Sequence, residues 1–328
     1  MSRGKLKLIA TEAGTQLGSE ISKQLKTPLT PIRVDHFADG ESETILLESV
    51  REQDVFIVTQ RDLTLGNSVM EQYEDIKSAL YTTLTAKAKH ISLIIPLMPM
   101  ARAHKAKQRQ GIQLVRVANE LMNAGAQQII TVDIHNSTSI GFFNGKGDNL
   151  SSFSPLMEAC KKIMGKIDPD QWIVSSVDVN AGRAKYWANS LGLDLNVCWK
   201  ERNYSKINTV AKTQVLVDVK DKNIIVIDDM IDTGGSFESV VKALHQKGAN
   251  RIIGCVTHPI FSNKATEKFT MLHKKYGLEK IIATNSVNLG NKFLKKNKWF
   301  IQVSLAPILS KTIKNIHEGK SVAEIYAS

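Results

Sequence analysis

Cysteine is scarce in this chain: three in 328 residues, Cys160, Cys198 and Cys255, scattered and without a CxxC pair. A disulfide framework needs more cysteines in a shorter chain, so these read as reduced thiols in a cytoplasmic protein. No apolar run is long enough to cross a bilayer. The most hydrophobic stretch, ISLIIPLMPM, is interrupted by Pro96 and Pro99 and falls short of the ~20 residues a membrane helix needs. The amino-terminal MSRGKLKLIATEAG carries basic residues, but its apolar run is too short for a secretory signal. No low-complexity segment, zinc-finger spacing or helix-turn-helix pattern is present. No G-x-x-x-x-G-K-[ST] occurs either, so a nucleotide must be held by something other than that phosphate loop. These absences exclude a membrane protein, a disulfide scaffold and the common nucleic-acid-binding modules.

What remains is a globular composition, 42% hydrophobic and 23% charged, long enough for two domains. The formal net charge of +11 is spread along the chain, with local clusters at 101–109 and 291–299. No aromatic-interleaved basic face of the kind that binds nucleic acid accompanies the clusters. A solvated basic surface comes first, and attraction of small phosphorylated compounds second.

Short β-branched runs alternate with segments of helical period. KLKLIAT, VFIVTQ, HISLIIPL, QQIITVDI, QWIVSSVD, NIIVIDD, RIIGCVTH and KIIATNSV are mostly continuously apolar, as strands covered on both faces are. Between them a helix is predicted over 112–124, with Ile112, Val115, Ala118, Leu121 and Met122 on one side and Gly125 as its stop. Another is predicted from Ser236 to Gly248, and a last one over 306–318. The alternation predicts an α/β fold with parallel sheets and helices on both faces. The polar, glycine-containing 144–154 reads as the boundary between similar halves, 1–148 and 149–328, with the last helix a candidate to pack on the first.

The most informative stretch is NIIVIDDMIDTGGSFESV, 223–240. Its apolar run is a strand, placing Asp228 and Asp229 at the carboxyl end, where ligands of open α/β sheets bind. Asp232, Thr233, Gly234, Gly235 and Ser236 then turn into a helix. Glycines allow close backbone approach, and amides at a helix start favour an anion. Carboxylates repel that anion, so they must face hydroxyls or a metal ion. Phosphate at the glycines and polyol at the acids describes a sugar phosphate, with the hydroxyls of Thr233 and Ser236 as further donors. A valine at Gly235 is expected to block the phosphate and to strain the turn.

This stretch closely resembles the ribose-5-phosphate (PRPP) motif shared by type I phosphoribosyltransferases and ribose-phosphate pyrophosphokinases. Further segments in matching order resemble the pyrophosphokinases over nearly the whole chain. FADGES (37–42) is similar to their nucleotide-contacting loop, which implies ATP near Phe37, Asp39, Gly40 and Glu41. DIHNSTSIGFF (133–143) is similar to their metal signature and implies His135 as a magnesium ligand, with Asp133 beside it. WKERNY (199–204) is similar to their catalytic loop and implies Lys200 and Arg202 at the transferred phosphoryl group, Arg202 also reaching the ribose 5-phosphate. The resemblance implies two phosphoribosyltransferase-like domains, Mg2+ as cofactor, and ATP and ribose 5-phosphate as substrates. It also implies a homo-oligomer, a hexamer or its dimer building block, and gives no role to nucleic acid or membrane.

The chain departs from the family pattern in places. Ala103 and His104 stand where Gln and Asp are usual, after a retained Arg102 that is expected at the nucleotide. The segment SVDVNAG lacks a glycine pair and leaves Asp178 as the matching metal carboxylate. Thr138 replaces a Gln, and Asp148 is kept. The chain is thus identified as a divergent member. The expected activity is pyrophosphoryl transfer from ATP to ribose 5-phosphate. The alternatives are a catalytically weak regulatory paralogue or a phosphoribosyltransferase.

Overall fold

A computed structural model of the chain describes residues 3–39, 41–106, 108–178, 181–201 and 212–326. Contacts divide it into two units. One comprises Met1–Ser152, Ser286–Gly290 and Ser304–Ser328, the other Phe153–Asn285 and Asn291–Val303.

The first unit runs β1 (Leu6–Ala10), α1 (Thr15–Leu25), a hairpin of β2 (Ile32–His36) and β3 (Ser42–Leu46), β4 (Asp54–Val58), β5 (Arg61–Asp62), α2 (Val69–Thr85), β6 (His90–Ile94), α3 (Gln113–Asn123), β7 (Gln128–Val132) and β8 (Gly147–Leu150). Its sheet has the order β1-β4-β6-β7-β8, and every pairing in it is parallel. All five residues of β4 are buried, because helices cover both faces of a parallel sheet and each side chain needs an apolar neighbour.

The polar stretch 144–154, read above as a boundary, also contributes β8. This strand pairs with β7 from Ile129↔Gly147 to Val132↔Leu150, and the division between units falls after Ser152. An edge strand needs backbone partners on one side only, so a polar sequence can form it. In α3 the buried face is Leu114, Val117, Ala118 and Leu121; of the stripe read from the sequence Ala118 and Leu121 are buried, while Ile112, Val115 and Met122 are only half-buried. The helix starts one residue later than expected, with Ile112 in extended conformation as its N-cap, and the true stripe keeps the i, i+3, i+4, i+7 spacing.

The second unit runs α4 (Phe153–Met164), β9 (Trp172–Ser176), α5 (Gly182–Leu191), β10 (Asp194–Asn196), β11 (Cys198–Glu201), β12 (Lys212–Val215), β13 (Asn223–Ile231), α6 (Gly235–Gln246), β14 (Ile252–Pro259), α7 (Ala265–Lys275) and β15 (Leu278–Thr284). The short β16 (Val287–Asn288) pairs with β5 and so belongs to the first unit. Next come α8 (Gly290–Lys296) and β17 (Phe300–Val303). The sheet order is β10-β9-β13-β14-β15-β17, again with parallel pairings throughout. The last helix, α9 (Ala306–His317), returns to the first unit. There Leu309, Ile313 and Ile316 pack with Leu8, Leu17 and Ile21. It is fastened at its far end by His317, whose Nδ1 lies 2.8 Å from a carboxylate oxygen of the fully buried Asp54. All three cysteines are buried, and none is in a disulfide. No helix among the described residues is long and apolar enough to cross a membrane.

Candidate functional site

The strand carrying the aspartates is longer than the sequence suggested. β13 pairs with β9 only as far as Ile227↔Ser176, but follows β14 to Ile231↔Pro259. The extra length has a partner because β14 itself runs on to Pro259. Asp228 and Asp229 therefore lie beyond the end of β9. The Asp228 carboxylate accepts from the Asp229 N–H at 2.9 Å. Desolvation first, then the charges of Asp229 and Asp178, holds the Asp228 carboxyl well above the ordinary range. A carboxylate cluster strained in this way is characteristic of sites that await a donor or a cation.

Beyond Ile231 the chain turns through Asp232, Thr233 and Gly234 into α6. Gly234 adopts a left-handed φ of 72°, and a Cβ there would stand 2.7 Å from Cε2 of Phe269. Only glycine meets both conditions. Gly235 differs: its φ is not in the left-handed region, and a Cβ there would meet nothing nearer than the Lys268 ammonium at 4.0 Å. The strain expected at Gly235 thus belongs to its neighbour, and the space over Gly235 is open. No side chain caps α6, so the orphan N–H groups of its first turn keep their donors. Thr233 and Ser236 are exposed beside them. An open glycine turn with uncapped amides and exposed hydroxyls can take an oxyanion, and the acids behind it can accept from hydroxyls.

Lys268, on α7, was not singled out in the sequence. Its Nζ donates to the Thr233 carbonyl at 3.0 Å. Only the pairing of β14 beside β13 brings a residue so far along the chain to the turn.

In the first unit, Phe37, Asp39 and Glu41 lie between β2 and β3. The Phe37 N–H donates to the Glu41 carbonyl at 2.8 Å, and the Glu41 N–H to Asp39 at 3.1 Å. Phe37 is half exposed, at 50%. Asp39 and Glu41 line a cavity of about 970 Å3 together with Glu12, Glu71, Glu74 and Asp75. So many carboxylates repel phosphates and suit the donors of a base or a ribose. Arg102 is exposed.

Asp133 is buried with a left-handed φ of 43°. Its Oδ2 accepts from both the N–H and the hydroxyl of Ser152, at 3.0 and 2.5 Å, which ties the end of β7 to the chain leaving β8. Two residues on, the His135 ring meets that of His104 edge-on, with centroids 5.6 Å apart. No spacing in the sequence announces this pairing. Asp178 is exposed in the second unit and adds to the field on Asp228. Gly40 and Arg202 lie outside the described residues, and of Lys200 only the backbone, in β11, is described.

Among the described residues no three His, Cys, Asp or Glu side chains converge into a metal cage. Mg2+ does not need one. It keeps several waters and asks for one or two carboxylates plus substrate phosphates, a demand that the exposed Asp178 fits.

Comparison with known proteins points the same way. Residues 6–125 match the family described as the N-terminal domain of ribose phosphate pyrophosphokinase, and 205–327 the phosphoribosyl synthetase-associated domain. The ribose-phosphate pyrophosphokinase of Wolinella succinogenes is 33% identical, over 98% of both chains. Ribose-phosphate pyrophosphokinase 2 of Schizosaccharomyces pombe is 31% identical, over 100% of this chain and 99% of that one. The crystal structure of phosphoribosylpyrophosphate synthetase from Mycobacterium smegmatis superposes with a TM-score of 0.82 at 30% identity, covering 96% of this chain and 99% of that one.

Proposed function

Since the chain belongs to the ribose-phosphate pyrophosphokinase family, we propose how its residues divide that family's reaction, the transfer of the pyrophosphoryl group of ATP to the 1-hydroxyl of ribose 5-phosphate. The products are PRPP and AMP. The hydroxyl oxygen attacks the β-phosphorus, the bond from that phosphorus to the α–β bridging oxygen breaks, and AMP leaves with the bridging oxygen. The hydroxyl proton is released.

Ribose 5-phosphate binds at the end of β13. Its phosphate takes the open amides of Thr233, Gly234, Gly235 and Ser236 and the hydroxyls of Thr233 and Ser236, and its ring hydroxyls donate to Asp228 and Asp229. Asp232 shapes the turn. The single observation that carries this reading is the uncapped start of α6 behind a glycine with room above it. The ATP side draws on Phe37, Asp39, Gly40 and Glu41, with Arg102 toward the phosphates. The acids of that segment accept from base or ribose donors. Lys200 and Arg202 act at the transferred group, where cationic positioning supplies most of the rate in phosphoryl transfer.

Mg2+ is the proposed cofactor, with His135 and Asp178 as ligands. Asp133, locked to Ser152, holds the turn that presents His135. When bound, the ion neutralises charge that develops on the phosphates. The working protein is proposed to be a homo-oligomer in the cytoplasm.

The test is 31P NMR of the purified chain with ATP, ribose 5-phosphate and Mg2+. PRPP and AMP should appear together in equal amounts, and only with both substrates. Inorganic phosphate with ADP instead would contradict the assignment. His135→Ala should lower turnover at limiting Mg2+ while the thermal melt stays unchanged.

A further inference from the structure

We propose that Lys268 is an additional binding residue for the phosphate of the sugar substrate and contributes to selection of phosphorylated over unphosphorylated ribose. This rests on the assignment of the 232–236 turn to ribose 5-phosphate. The Lys268 ammonium lies 4.0 Å from where a Cβ on Gly235 would be, and it is the nearest group on that side of the glycine. Its hydrogen bond is to the Thr233 carbonyl, at 3.0 Å. A neutral carbonyl orients an ammonium without cancelling its charge.

The nearest acid is Glu238, at 3.6 Å from Lys268. That carboxylate is already engaged by Lys242 at 2.8 Å, one turn along α6. One acid thus serves two lysines and cannot neutralise both. An ordinary surface pair would leave the lysine closest to its acid, whereas here it is closest to the turn. An ammonium has three N–H donors, so Lys268 can keep the carbonyl and still meet an oxyanion seated on the amides. The helix amides recognise any anion of suitable size, and a full charge on the open side favours the phosphate dianion over a hydroxyl.

Initial rates of the full chain at varied ribose 5-phosphate test this. Lys268→Met should raise KM for ribose 5-phosphate about tenfold at low salt, with KM for ATP changed less than about twofold. The difference from wild type should shrink as salt screens the charge. Lys268→Arg, which keeps the charge, should recover most of the loss. Lys274→Met, at the exposed end of α7, should have no effect. An unchanged ribose 5-phosphate KM and salt slope in Lys268→Met would overturn the proposal. If Lys268→Met is poorly folded, the Arg variant decides: no recovery relative to Met overturns it. Gly235→Val separates this result from the parent reading. Loss of sugar-phosphate affinity in Gly235→Val but not in Lys268→Met refutes the lysine alone, whereas loss in neither refutes the turn assignment.

Discussion

The two units follow the same path through different chemistry. In the first, β1, α1 and the β2–β3 hairpin lead into β4 and then α2. In the second, β9, α5 and the β11–β12 hairpin lead into β13 and then α6. β4 lies between β1 and β6 as β13 lies between β9 and β14. The two helices then begin in opposite ways. α2 is closed by a capping box: Ser68 accepts from the Glu71 N–H, and the Glu71 carboxylate accepts from the Ser68 N–H. α6 has no side-chain cap and follows a left-handed glycine. A helix start that spends amides on its own side chains has fewer left for a ligand, and the Glu71 carboxylate standing there repels an anion. The topology thus supplies two equivalent strand ends, and a few residues after the strand decide which of them can hold an anion.

Gly234→Ala should have the largest effect. It forces an L-residue into the left-handed region and drives its methyl against Phe269, costing about 2–4 kcal/mol of stability and most ribose 5-phosphate binding. A urea midpoint equal to wild type would show that the turn relaxes freely.

Asp228→Asn should come next, with two opposed signs. Ribose 5-phosphate affinity should fall on the order of ten- to a hundredfold, because charge-assisted hydrogen bonds are lost. Without ligand or metal the variant should be more stable than wild type at neutral pH. The folded Asp228 carboxyl sits well above its ordinary 3.8, so the native state binds a proton that the unfolded chain has released. Its contribution is present below that value and is lost as pH rises through the folded one. The melting temperature of Asp228→Asn relative to wild type should therefore rise with pH from about 4 upward and the difference should vanish below it. A pH-independent difference would show that Asp228 is not strained.

Ser68→Ala should have the smallest effect, about 1 kcal/mol. It should leave ribose 5-phosphate affinity untouched, because the capped start with its Glu71 carboxylate is no seat for the sugar phosphate. Any loss of sugar-phosphate binding would break the contrast between the two helix starts.

Much of this contrast could be read in the sequence. Each of the eight apolar runs contains a strand, since burial on both faces demands uninterrupted hydrophobicity. The turn at 232–236 was legible because glycine, hydroxyl and carboxylate types each have a local reason to be there. Features that depend on distant partners were not. IRVDH and SETIL form a hairpin with largely half-exposed strands, so no apolar pattern marks them. β8 is polar because it is an edge. Val287 and Asn288 join the first unit by pairing with Arg61 and Asp62, more than two hundred residues away. His104 beside His135, and Lys268 beside Thr233, are products of tertiary packing without any sequence spacing to announce them. The length of β13 was missed because its last pairs depend on how far β14 extends.

The most direct measurement is calorimetric titration of Gly235→Val with ribose 5-phosphate and, separately, with MgATP. A side chain at 235 has room in the ligand-free protein, so the fold should persist while the space over the turn is filled. Ribose 5-phosphate affinity should drop by at least about a hundredfold, the loss of several hydrogen bonds to a charged group, and MgATP affinity should be kept. Loss of MgATP affinity with ribose 5-phosphate binding intact would assign the turn to the nucleotide and contradict the division of substrates proposed here.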